Sequence, residues 1–165
     1  MTLATRVNFG VLAAASVSTD VPGRPPSVKT HTISVGDQLT WGDGTGADEA
    51  DLVYEAIESL AASGALALDL TALEDSFGAA LSFARLKAFY LRNTGTEAGA
   101  SLLIGGTCGI VGSGLVLRPG EHLMKAVGDG TAYAVVNSSS DSLTITNQSG
   151  SAAASLRLVL VGSSA

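Results

Sequence analysis

The sequence predicts an all-β protein, a sandwich or barrel of short strands. Three observations predict it. Apolar and polar residues alternate over short runs, the period of a strand with one buried face. Clusters of Gly, Pro, Asn, Asp and Ser interrupt those runs every 8–12 residues or so. Thr and Val, good strand formers, recur within them.

Taken in order, residues 1–19 alternate weakly and read as a strand. Pro22, Gly23, Arg24, Pro25 and Pro26 follow and forbid a ladder, so residues 1–27 read as a strand and an exposed arm. Residues 28–165 read as one sandwich domain. Val28–Val35 alternates, Gly36-Asp37 reads as a turn, Gln38–Trp41 as a short strand and Gly42–Gly46 as a loop. Asp48–Ala62 fits two templates: Leu52, Val53, Ala56, Ile57 and Leu60 recur at helical spacing, yet Leu52, Tyr54, Ala56, Glu58 and Leu60 also form one face with period two. Ser63-Gly64 then turns the chain into the alternating Ala65–Leu70, which suggests a hairpin. Leu86–Arg92 is a strand, stopped by Asn93-Thr94-Gly95. Further short strands are expected at Ser101–Ile104, Leu115–Leu117, His122–Val127, Ala132–Val136, Ser142–Thr146 and Ser155–Val161. No internal repeat stands out.

Composition narrows the function classes. Ala, Gly and Ser make up about 39% of the 165 residues. Charged residues are 15%, against roughly 25% in an average domain, and mean hydropathy is +0.37. The net charge of −6 and the aromatic content of 5% disfavour nucleic-acid binding by overall basicity or stacking. The single Cys allows no internal disulfide and no thiolate metal cluster. So few charges leave the folded surface poorly covered, which points to a bilayer or to extensive contact with other chains. The longest uncharged run, Ala98–Leu117, has the length of a spanning helix, but six of its twenty residues are Gly. Val7–Thr19 has the look of an apolar leader core, interrupted by Asn8 and Gly10. Assembly is therefore the expectation. Charge is also uneven: residues 1–82 are net −8 and residues 83–165 net +2.

Candidate chemistry is sparse, and no catalytic, cofactor or metal residue is expected. His31 and His122 stand among many Ser and Asp, without the spacing of a nucleophile elbow. Gly105–Gly114 resembles a dinucleotide loop but leads into strand and turn rather than a helix N-terminus. Asp43, Asp48, Glu49 and Asp51 gather carboxylates beside glycines without the EF-hand order, so a solvated acidic loop is expected. Glu55 with Glu58 and Glu74 with Asp75 are candidate acid–base pairs with no cleft signal. Cys108 is expected to be a small packing residue. Asn137-Ser138-Ser139 and Asn147-Gln148-Ser149 match the glycosylation sequon, which is expected to be idle in a chain with no leader.

The segment Ser82-Phe83-Ala84-Arg85-Leu86-Lys87-Ala88-Phe89-Tyr90-Leu91-Arg92-Asn93 resembles a family of small tailed-bacteriophage virion proteins of the capsid decoration, or cement, class. Asp69-Leu70-Thr71, Asp75-Ser76-Phe77-Gly78, Leu117-Arg118-Pro119-Gly120-Glu121, Asp141–Asn147 and Leu158–Ser163 fit the same pattern, so the likeness spans roughly residues 48–165. It implies that Asp51–Leu60 is a strand, and that there is no active site. Many sandwiches in virions are jelly rolls, so the expected fold is a jelly-roll-like sandwich with an N-terminal arm able to lie across a neighbour. The expected partners are the major capsid protein and further copies in a homotrimer, with no nucleic acid, membrane, cofactor or small-molecule substrate, and the expected location is the virion. Arg6 and Arg24 in the arm, and Arg85, Lys87 and Arg92 on one strand, are the expected contact residues. A tail, baseplate or receptor-binding module is the alternative, separable by copy number per particle. A β-sandwich hydrolase is a third reading, which a cleft joining His31 or His122 to a carboxylate would support.

Overall fold

The computed structural model describes the backbone of residues 5–19, 27–75, 77–129 and 131–165, and side chains from Leu39 onward within those ranges. The chain divides into two units, one spanning Arg6–Thr40 and the other holding Trp41–Ala165. The first is a two-stranded sheet of β1 (Thr5–Thr19) and β2 (Ser27–Trp41). Gly36-Asp37 does not turn the chain, because β2 continues through it to Trp41; pairing with β1 outweighs a local turn preference. Residues 28–40 therefore group with β1, and the division falls at Thr40/Trp41 rather than at residue 27. The Pro-rich segment 20–26, Arg24 included, lies outside the described residues, and Arg6 and His31 have described backbone only.

In the second unit the named strands all pair antiparallel. Its elements are β3 (Leu52–Leu60), β4 (Ala65–Asp69), β5 (Leu73–Glu74), β6 (Ala80–Leu81), β7 (Arg85–Asn93), β8 (Leu102–Gly106), β9 (Leu115–Leu117), β10 (His122–Ala126), β11 (Tyr133–Ala134), β12 (Ser142–Asn147) and β13 (Ala154–Ser163). One sheet runs β10-β7-β13-β3, with β11 beside the start of β7. The other runs β4-β12-β8-β9, and β5 and β6 form a small hairpin. The segment with two templates is a strand from Leu52. The expected hairpin with Ala65–Leu70 does not form: β3 pairs with β13 and β4 with β12. Ser63, at φ 59°, and Gly64 carry the chain from one sheet to the other, tied by Gly64 N–H to Ala61 O at 2.9 Å and Ser63 N–H to Ser149 O at 2.8 Å.

The two sheets share one core. Ala56, Leu60, Leu86, Phe89, Leu91, Leu156, Leu158 and Leu160 from one meet Leu102, Ile104, Leu117, Leu143 and Ile145 from the other in a single buried cluster. Each large side chain so buried contributes about 1.5–3 kcal/mol. Cys108, Ile110 and Val111 join them, so the glycine-rich Gly105–Gly114 segment folds its apolar residues into the core. Two buried asparagines fasten strand ends. Asn93 donates to Ala100 O (2.8 Å) and Leu117 O (3.2 Å), and Asn147 to Ala61 O (2.9 Å) and Ala152 O (2.8 Å).

The β7–β13 ladder carries a bulge. Val161 faces Ala88, the next residue Gly162 faces Leu86, and Lys87 is left over. A Cβ at Gly162 would run into the Arg85 carbonyl and the Phe83 ring. Gly162→Ala is expected to cost about 1–3 kcal/mol by overpacking a central strand, read as a lowered urea midpoint. Gly150→Ala, with open space around it, is expected to change the midpoint little.

Candidate interaction surfaces

Register places the outward residues at the centre of the larger sheet on a grid. One row across β10, β7, β13 and β3 is His122, Arg92, Arg157 and Ile57; the next is Met124, Tyr90, Val159 and Glu55; the third is Ala126, Ala88, Val161 and Val53. Their neighbours Leu91, Phe89, Leu158 and Leu160 point the other way, into the core. Ile57 is 71% exposed, and Tyr90, Met124 and Val159 are half-buried. Arg157 pairs with Glu55 (Nη2–Oε1 2.7 Å), the one ion pair among the described residues. Tyr90 and His122 bring their rings to 6.3 Å.

The smaller sheet turns a different face outward: Ala65, Ala67 and Asp69 on β4, Ser142, Thr144 and Thr146 on β12, Leu103 and Gly105 on β8, and Val116 on β9. Asp69 alone is charged, and the Thr71 hydroxyl and amide hold its carboxyl below the usual carboxylate range. The other side chains are small or uncharged, so another backbone can approach closely. Charge depletion of this kind marks the cores of interfaces.

Of the residues expected to make partner contacts, Arg85 and Arg92 fall in register on the outward side of β7, at its two ends, whereas Lys87 does not join them. Arg85 is half-buried at the start of β7, Arg92 is exposed near its end and Lys87 is fully buried. Lys87 is corrected to a structural role. As the extra residue of the bulge, it aims its ammonium at the loop between Trp41 and Ala50, and donates to the carbonyls of Gly46, Ala47 (2.9 Å) and Glu49. Three hydrogens meet three acceptors. The loop closes on itself through Gly42 N–H to Asp48 O and Ala50 N–H to Gly42 O, both 2.8 Å, and Gly46 N–H to Glu49 Oε2, also 2.8 Å. The acidic segment expected to be a solvated loop therefore does hold a cation, the protein's own. Burial and Arg85 push the Lys87 pKa down, while Asp48, Glu49 and Asp51 hold it up. Trp41, Ala50, Ala88 and Val161 are buried outside the main core, Ala88 and Val161 on the outward side of the sheet.

The remaining candidates are dispersed. Glu58 stands near Tyr54, whose phenol is raised by burial and then by the Glu58 charge. Asp75 caps a turn through Phe77 N–H and Ala79 N–H, each at 2.8 Å. Cys108 is buried and its thiol is pushed up by desolvation. Asn147 of the second sequon is 1% exposed. Among the described residues no group of three or more His, Cys, Asp or Glu is placed to hold a metal.

Lys87→Met is expected to leave the three loop carbonyls without donors and to cost about 2–4 kcal/mol, read in urea melts at unchanged slope. Lys87→Arg is expected not to rescue it, because a planar guanidinium cannot converge its donors on three carbonyls in the same way. Comparison with protein-family models, curated proteins and solved structures finds no match to this chain.

Proposed function

We propose that this chain is a capsid decoration protein of a tailed bacteriophage. It forms a homotrimeric jelly roll that binds the outer lattice of the major capsid protein and acts on the virion by burying surface. The observation that carries the reading is the outer face of β4-β12-β8-β9, where Asp69 is the one charged residue of nine. A solvated sheet of a free-standing protein normally turns polar, charged side chains outward. Here the face offers Ala, Thr, Ser and Gly, suited to a close, dry contact.

The strand order supports a jelly roll. With β10 and β11 taken as one lane along β7, the eight long lanes pair first with last, β3 with β13; then β4 with β12, β7 with β10, and β8 with β9. That nesting is what results when one long antiparallel ribbon rolls up into two Greek keys. Binding only to the assembled lattice would stabilise it by mass action. Purified heads carrying the chain are expected to disrupt at a higher temperature than heads stripped of it; equal temperatures would overturn cementing. Thr144→Glu, at the middle of this charge-poor face, is expected to leave the melting temperature of the isolated chain nearly unchanged and to weaken its retention on heads at least about tenfold. Co-sedimentation of the variant with stripped heads measures this.

A further inference from the structure

We propose that the outer face of the larger sheet is a self-association site, on which a second copy of this chain seats the acidic, aromatic tip of its β5–β6 hairpin. The face is cationic and incompletely matched. Arg92 and Arg157 lie directly opposite each other across β7 and β13, with His122 opposite Arg92 on its other side. Like charges directly opposite one another destabilise a sheet. Glu55 serves Arg157, and Arg92 has no ion-pair partner among the described residues. Around this row stand Ile57, Tyr90, Met124 and Val159, so an occupant needs carboxylate and apolar parts together.

The hairpin supplies both. Its stem is anchored by the buried pair Leu73 and Leu81. Its turn is held by the Asp75 carboxylate, which accepts from Phe77 N–H and Ala79 N–H, and by Gly78 at φ 81°. It presents Glu74 and Phe77 outward, and Phe77 is 95% exposed. An aromatic has only two side-chain torsions to order on docking, so it supplies a large contact area at small entropic cost. The hairpin cannot reach its own molecule's row. Its base is joined through Phe83 N–H to Leu70 O (2.9 Å), beside Arg85 at the start of β7, whereas Arg92 lies seven residues along that strand, about 23 Å away. Complementary patches at opposite ends of one molecule join head to tail, and such contacts close into rings when the rotation permits.

The contact goes beyond the decoration reading and is tested without heads, by sedimentation velocity of the full chain over a range of concentration and salt. Wild type is expected to associate at low salt and to dissociate as salt rises. Arg92→Glu and Phe77→Ala, both at exposed positions, are each expected to raise the dissociation constant at least about tenfold with unchanged circular dichroism and melting temperature. An equimolar mixture of the two variants is expected to recover a dimer, because one copy keeps the hairpin and the other keeps the face. A wild type that stays monomeric, an assembly indifferent to both substitutions, or a mixture that recovers nothing would overturn the proposal. None of these outcomes bears on whether the Thr144 face holds the chain to a head.

Discussion

The fold depends on the last strand filling the middle of a sheet. β13 pairs with β3 on one side and β7 on the other, and its inward Leu156, Leu158 and Leu160 are fully buried. Without it β3 and β7 have no common neighbour, and the inner stripe of the larger sheet loses its centre. The two strands it joins are distant in sequence, so the chain closes a long loop before these contacts form. That entropy is repaid only when the core assembles as a whole.

The same closure creates the one irregularity that organises the rest. At the bulge β7 inserts an extra residue, and the extra residue is a lysine. A cation there cannot face the leucine core and is too deep for water. It is satisfied by folding the chain between Trp41 and Ala50 into a ring of carbonyls around it. One local kink in a ladder thus fixes the loop that follows Trp41.

Strands were legible where a single period decides. Ser142–Asn147 falls within one residue of the boundaries that alternation indicates, and Leu115–Leu117 is an apolar run bounded as its turn signals indicate. Partner choice was not legible, because Ser63-Gly64 has the same local chemistry whether it closes a hairpin or carries the chain between sheets. Lys87 was misread for a related reason. Alternation put it on the side of Phe89 and Leu91, an inward position for a charge, which was a sign of broken register; the bulge that explains it depends on Gly162, far away in sequence. The carboxylates of Asp43, Asp48 and Glu49 drew attention to a cation site, but the ligands are backbone carbonyls, which composition does not reveal.

The distribution of charge follows from how the two faces are built. An outward grid of four strands can be made soluble by charge, or left bare and covered. The smaller sheet takes the second course almost completely, with Asp69 at its corner tied down by Thr71. The larger sheet takes a mixed course: it keeps arginines, but sets Arg92 against Arg157 with one carboxylate, Glu55, which pairs with Arg157. A bare face gains by excluding solvent against a flat neighbour, whereas an unbalanced cationic face gains by meeting carboxylates in an apolar frame, where their attraction is less screened. The decoration contact and the self-association proposed above would use these two faces for two different neighbours, which is how a protein with so few charges would be specific about what covers each side.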